Sequence, residues 1–311
     1  MLLQAQNLRI FYKNSAIIDD INFHVEKGEI FSIVGESGSG KTLTGLSIIN
    51  LLPDYFRVTG KLIFKNTDIL ALDSSQIRKI RGKQISFIFQ DPMVSLNPVL
   101  KAGYQVTEMF IHHFNMPEKE AIKKTEKIFN ELKIAHIINN YPHQLSGGMR
   151  QRVMIAMAIA CEPELIIADE PTTALDVTVQ EEILDLLYFL IKEKQKAMIL
   201  ITHDMNILGE YADRLMVMYA GRIMEMGHVK EIFKNPLHPY TIALLNCVPV
   251  EGKKIEGIPG NVPDLRKLPS GCVFHPRCKY KRKECMIEPP SLREVIPGHL
   301  VRCFWSTPKT R

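Results

Sequence analysis

Long apolar stretches are missing from this sequence. The longest uninterrupted run, Val153 to Cys161, is nine residues, whereas a bilayer-crossing helix needs roughly 18 or more. No segment is therefore expected to span a membrane. The first residues, Met1-Leu2-Leu3-Gln4-Ala5-Gln6-Asn7, lack the basic flank and apolar stretch of a secretory leader. A cytosolic protein is the expectation. Excess charge of one sign is also lacking: Lys+Arg 39 against Asp+Glu 34 leaves a formal +5, too mild for the concentrated basic face that nucleic acid demands. Gly 18 and Pro 18 in 311 residues are too few for a fibrous or disordered chain. Cysteine is sparse over most of the length, and 6 thiols in a reducing compartment argue against a disulfide framework. What remains is an ordinary globular balance, 46% hydrophobic and 23% charged, at a length suggesting about two domains.

The hydrophobic pattern alternates strand and helix. Leu8 to Tyr12 and Ile21 to Val25 alternate apolar and polar, as half-buried strands do, and Ile30 to Val34 reads as a buried strand. Lys41 to Leu52 turns helical, Leu62 to Phe89 is strand-rich, and about Pro98 to Ala160 is mostly helical. Strands return at Leu165 to Ala168 and Ala197 to Ile201, with a helix from Val179 to Lys194 between them. That order implies a parallel sheet with crossover helices. Met216, Met218, Met224 and Met226 alternate around Tyr219 to Arg222, which reads as a hairpin with buried methionines. Beyond Asn235, prolines punctuate a loop-rich tail, so the boundary is placed at 1–235 and 236–311.

Gly35-Glu36-Ser37-Gly38-Ser39-Gly40-Lys41-Thr42 fits G-x-x-x-x-G-K-[ST] between a buried strand and a helix. Glycines let successive backbone N–H groups curl around an anion, and the helix adds its positive end. Lys41 would reach the β- and γ-phosphates of a nucleoside triphosphate, and Thr42 would ligate Mg²⁺. Leu165 to Glu170 is an apolar strand ending in two carboxylates. It places Asp169 beside the metal and Glu170 where it can polarise a water. These two motifs alone leave kinase, helicase, GTPase and transporter open. Leu145-Ser146-Gly147-Gly148-Met149-Arg150-Gln151 opens a further helix, Met149 to Cys161, with a hydroxyl and two bare N–H groups, a second anion site. One chain has no use for two such cradles on one nucleotide. Two chains placed head to tail would each complete the other's site.

Together these residues resemble the ATP-binding subunits of ABC transporters. The match runs in order through Tyr12, Gly35 to Thr42, Gln90, Leu145 to Gln151, Asp169-Glu170, Ala174-Leu175-Asp176 and His203. The resemblance implies a P-loop α/β fold: a parallel core sheet, an antiparallel β subdomain, a helical subdomain at about 91–160, and a small Cys-rich C-terminal module. It further implies that Tyr12 stacks on adenine, although either Tyr12 or Phe11 could simply pack. Gln90 would join the Mg²⁺ site to the transporter interface, and Ser146 and Gly148 would cap the partner's γ-phosphate. Asp176 would cross between subunits, and His203 would contact the γ-phosphate and attacking water. Met149 stands where the family usually has Gln, which removes a role for that side chain but not for the backbone. A soluble ABC-type ATPase acting on DNA or ribosomes is disfavoured by the absence of a coiled-coil insertion or a tandem cassette.

Gln90 to Pro98, Asn235 to Thr241 and the tail around Gly271-Cys272 are similar to the dipeptide/oligopeptide (and nickel) importer branch. That likeness implies a second, often different, ATPase subunit, two separate transmembrane permease subunits, and indirectly an extracytoplasmic solute-binding protein. It also implies a peripheral position on the cytoplasmic face of the cell membrane. Dipeptides, oligopeptides, nickel and metallophores all remain open as cargo. Cys272, Cys278, Cys285 and Cys303 gather in a stretch short of core-forming patterns, where small modules often need a metal staple. Four thiolates suit Zn²⁺ or a [4Fe–4S] cluster, and unliganded thiols are a third reading. C-x2-C knuckles are absent, and the wider spacing fits the cluster better. The branch resemblance points the same way. Arg277, Lys279, Lys281, Arg282 and Lys283 would offset the thiolate charge.

Overall fold

The structure, a computed structural model, describes residues 1–173, 175–248 and 257–305. Ala174 of the Ala174-Leu175-Asp176 motif, Pro249, and the 249–256 and 306–311 parts of the proposed C-terminal module lie outside the described residues. The chain divides into two compact units, Met1–Ala71 with Leu200–Arg311, and Leu72–Ile199. The described residues of the 236–311 stretch belong to the first unit.

The first unit holds an antiparallel sheet in the order Ser15–Val25, Leu3–Tyr12, Phe56–Phe64, Thr67–Asp68. Leu3 pairs with Val25 on one side and Phe64 on the other, and all three side chains are buried. The unit's second set of strands runs Arg293–Ile296, His299–Val301, Arg222–His228, Arg214–Tyr219, Ile30–Val34. Only the last of these pairs is parallel, with Phe31 opposite Arg214 and Val34 opposite Val217. Ile30–Val34 is buried at every position, which is why its sequence reads as a continuous apolar run. The hairpin of Arg214–Tyr219 and Arg222–His228 forms as expected, and its four methionines are buried. Its core position places the Met218 carbonyl against the phosphate loop.

The second unit is mainly helical: Ser74–Ile80, Ala102–Phe114, Glu118–Glu131, Gly147–Ile159 and Val177–Glu193. Its parallel strand pair, Ile85–Ile88 with Leu165–Asp169, is buried throughout the second strand. Two sequence expectations need correction. Leu62 to Phe89 is not all strand, because Asp73 accepts from the amides of Ser75 and Gln76 while Gln76 reaches back to the Asp73 amide. That reciprocal cap starts the helix Ser74–Ile80. The helix expected from Met149 begins at Gly147, because the Ser146 hydroxyl accepts from the Met149 amide and caps it there. Among the described residues no helix is long and apolar enough to cross a membrane.

Candidate functional site

The phosphate loop sits in the first unit, between the buried strand Ile30–Val34 and the helix Lys41–Ile48. Gly35 has no room for a side chain: a Cβ there would run into the backbone carbonyl of Met218 and lie 2.9 Å from Ser39 Oγ. The loop can therefore turn tightly only without one. Lys41 is 5% exposed, and its ammonium donates to the carbonyls of Gly35 at 2.8 Å and Glu36 at 3.1 Å. Ser39 Oγ is buried with no hydrogen-bond partner among the described residues. Such an atom carries a cost that a ligand can relieve. Thr42, Ser37 and Gly38 are exposed, so the hydroxyls and the tip amide are open to a bound group. A cradle with a buried cation, an unsatisfied hydroxyl and a helix start fits a triphosphate with its Mg²⁺.

Beside the loop lies a cleft of about 560 Å³, lined by Tyr12, Ile17, Ser37, Gly38, Tyr55, Phe56 and residues Val262 to Arg266. Tyr12 meets Tyr55 edge-on at 5.8 Å and Phe56 at 5.8 Å. Half-buried Tyr12 thus shares one cleft with the loop, and Tyr55 and Phe56 are partners that sequence reasoning missed. His203 is exposed directly after the strand Ala197–Thr202.

Glu36 is tied down twice. Its amide donates to Tyr240 Oη at 2.9 Å, and its carboxylate is gripped bidentately by Arg277 at 2.6 and 3.0 Å. Arg277 also donates to Tyr219 Oη at 3.3 Å. Burial works against the Arg277 charge, but the hydrogen bonds to Glu36 and Tyr219 outweigh it and hold its pKa above the ordinary arginine value. Arg277 is therefore committed to Glu36, a correction to its expected role beside the thiols. Burial raises the Cys278 pKa, and the Lys281 charge opposes that rise only in small part.

In the second unit the structure brings Gln90 and Glu170 together. Gln90 Nε2 and Thr173 Oγ1 each donate to Glu170 Oε2 at 2.9 Å, which fixes the rotation of the carboxylate. Thr173 had no sequence signal of its own. Glu170 has φ +46, a left-handed conformation costing on the order of 1–3 kcal/mol and typical of functional positions. Asp169 ends its strand 2% exposed. Gly147 and Gly148 approach the start of Val177–Glu193: a Cβ on Gly147 would lie 3.1 Å from Leu175 Cδ2 before the helix, and one on Gly148 2.8 Å from Val179 Cγ1 in its first turn. Asp176 caps that helix, accepting from the Val179 amide at 3.1 Å.

The tail thiols lie in the first unit. Cys272, Cys285 and Cys303 are buried and Cys278 half-buried, none in a disulfide. Burial pushes Cys272 up to about 11, and negative charge on Cys303, Cys285 or Cys278 would raise it further. The four are thus within electrostatic reach of one another. Among the described residues no three His, Cys, Asp or Glu side chains converge as the site of a metal ion, so the geometry lends support to neither the expected [4Fe–4S] cluster nor the zinc alternative.

Residues 18–173 match the family model described as "ABC transporter", and 224–285 match "Oligopeptide/dipeptide transporter, C-terminal region". The oligopeptide transport ATP-binding protein OppD of Escherichia coli is 45% identical over 97% of this chain and 93% of its own length. The chain belongs to the ABC transporter ATP-binding family. AppD of Bacillus subtilis, another oligopeptide transport ATP-binding protein, is 44% identical over 97% of this chain and 96% of its own. A solved dimeric cassette, MJ0796, in a post-hydrolysis state with ADP and Pi, superposes with a TM-score of 0.66 at 30% identity, covering 73% of this chain and 99% of that one. The chain is an ABC ATPase, and the geometry of its phosphate loop suits that chemistry.

Proposed function

We propose that this ABC ATPase is the ATP-hydrolysing subunit of an importer of oligopeptides or dipeptides, acting on separate permease subunits from the cytoplasmic face of the membrane. The observation that carries the reading is the phosphate cradle, with Lys41 buried against the loop carbonyls. The oligopeptide/dipeptide C-terminal region and the printed names of the relatives support the cargo class. A second ATPase subunit, the same or different, faces this one head to tail; that the cassette neighbour is dimeric supports the pairing. A solute-binding protein feeds the permease from outside.

Gly35 to Thr42 bind the triphosphate, with Lys41 on the β- and γ-phosphates. Tyr12 takes the base. Thr42, Asp169 and Gln90 would hold Mg²⁺, which neutralises charge on the phosphate oxygens. Glu170, held by Gln90 and Thr173, orients the attacking water, and His203 donates to the γ-phosphate as charge builds. Ser146, Gly147 and Gly148 present hydroxyl and amides to the nucleotide of the partner, and Asp176 crosses between the two subunits. Residues 1–235, with a helical part at about 91–160, carry the ATPase, and 236–311 the tail.

Cys272, Cys278, Cys285 and Cys303 would hold a [4Fe–4S] cluster as a structural staple. The spacing of the four cysteines supports this, together with the proximity by which charge on Cys303, Cys285 or Cys278 acts on Cys272. Cys272 also donates its amide to the Cys285 carbonyl at 2.8 Å, joining two of the thiol-bearing turns.

Glu170→Gln keeps the hydrogen bonds but removes the base. It should retain ATP affinity, lose turnover by about 10²–10⁴-fold, and trap a closed dimer visible by size-exclusion chromatography. Wild-type hydrolysis by that variant would refute the role of Glu170.

A further inference from the structure

The cleft beside the phosphate loop has a wall that no phosphate-binding motif supplies. Its volume, about 560 Å³, falls in the ~300–1,000 Å³ range of small-molecule sites. Four stretches of chain line it: Tyr12 with Ile17, the loop tip Ser37-Gly38, the ring pair Tyr55-Phe56, and the tail segment Val262 to Arg266. The last comes from some 200 residues further along the sequence.

That segment is held to the loop by a chain of contacts. Arg277 grips the Glu36 carboxylate. The same guanidinium donates to the Pro259 carbonyl at 2.7 Å and the Ile258 carbonyl at 3.3 Å, just ahead of the wall. Within the wall, Asp264 accepts from the Arg266 amide at 2.9 Å and from its guanidinium at 2.7 and 3.0 Å, and the Lys267 amide donates to the Asp264 carbonyl at 2.8 Å. The pair is exposed on both sides and contributes little to stability. Its effect is geometric, shaping a turn in which Val262, Pro263 and Leu265 are half-buried while Asp264 and Arg266 are exposed. Pro263 adds a fixed φ.

We propose that Val262, Pro263 and Leu265 form the second face of the nucleobase site, so that the adenine of a bound ATP lies between aromatic rings and an aliphatic wall lent by the C-terminal stretch. The proposal rests on reading the phosphate loop as an ATP site. A base has flat apolar faces, and a ring stack on one face leaves the other in water unless something covers it. Besides Ile17, the uncharged aliphatic groups that line the cleft are Val262, Pro263 and Leu265 of the tail segment. Nucleotide affinity then depends on the C-terminal region through the base, independently of the phosphates.

The test separates those two contributions. ATP–Mg and tripolyphosphate–Mg, which has phosphates but no base, are titrated calorimetrically into the full chain and into Pro263→Ala/Leu265→Ala. ATP should bind about tenfold more weakly to the double variant, the loss expected for one to two aliphatic groups' worth of contact. Tripolyphosphate should bind both proteins alike. Leu265→Met, which keeps the apolar volume, should bind ATP as the wild type does. Unchanged ATP affinity in the double variant would overturn the proposal, and so would an equal loss for both ligands. Failure of the wild-type chain to bind either ligand would instead sink the ATP-site reading, and the wall with it.

Discussion

Replacing Arg277 by methionine tests whether the tail braces the phosphate loop. The guanidinium is 7% exposed and the Glu36 carboxylate it grips 24%. Removing one partner of a fully buried pair costs about 3–5 kcal/mol, because the remaining charge is left without compensation. Glu36 keeps partial access to water, so the cost should fall to about 2–3 kcal/mol. Arg277 also lies over the Tyr219 ring at 5.7 Å, a contact that methionine replaces only in part. In a chain of this size that loss lowers the melting temperature by about 5 °C. Glu36→Gln should cost less, since an amide can still accept from Arg277. The double variant should be less destabilised than the sum of the singles, with a coupling of about 1–2 kcal/mol. Calorimetric melts of the four proteins give the cycle, and ATP titration reports the loop. A melting temperature within a degree of wild type for Arg277→Met, with unchanged ATP affinity, would show that the contact carries no load.

Two further outcomes follow from buried groups. His238 accepts from the Tyr240 amide through Nδ1 at 3.0 Å, and its Nε2 is buried without a partner among the described residues. Burial pushes its pKa down to about 4, outweighing the opposing pull of the Glu225 charge and of the Arg302 backbone, whereas the unfolded chain protonates near 6.5. Stability is therefore complete above about pH 6.5 and falls by up to about 3 kcal/mol as pH drops toward 4, because only the unfolded chain takes the proton. Urea titrations should show that loss in wild type and a flatter profile in His238→Asn; parallel profiles would refute the assignment. For the thiols, anaerobically purified protein should carry about four irons per chain and absorb visibly, and Cys272→Ser should lose both. A colourless, zinc-loaded preparation would overturn the cluster.

Much of this was legible in the sequence, for local reasons. The buried strand Ile30–Val34 and the glycines after it are a continuous run with one backbone solution. Gln90 and Asp169-Glu170 sit at strand ends, which a short apolar run marks well. The helix Ser74–Ile80 was missed because its signal is the capping pair Asp73 and Gln76, easily lost beside neighbouring strand-forming residues. Arg277 was misread for a different reason. Its neighbours are cysteines and basic residues, and only the fold brings it to an acid 241 positions away. Tyr55, Phe56 and the Val262 to Arg266 wall likewise carry no motif; they matter through the cleft that they share with Ser37 and Gly38.

The tail must hold a fixed shape to deliver these contacts, and it has little regular structure to do so. From Gly257 to Trp305 it contains two single-turn helices and two short strands. Ordering each residue costs about 1–2 kcal/mol of backbone entropy, and its apolar cluster is small, with Val301 and Cys303 packed on Leu237 beside Val295 and Trp305. Arg302 adds a polar anchor, donating to the carbonyls of Ile223 and Pro290 and to Asp20. Those anchors fasten the end of the tail, while Arg277 and the base wall lie nearer its start. Between them lie Cys272, Cys278 and Cys285, with Arg277 directly before Cys278. A covalent crosslink among those thiols would fix the turn His275–Arg277 and so the guanidinium that holds Glu36. A cluster held by the four cysteines, as proposed above, would in that way stiffen the segment on which one edge of the phosphate loop leans.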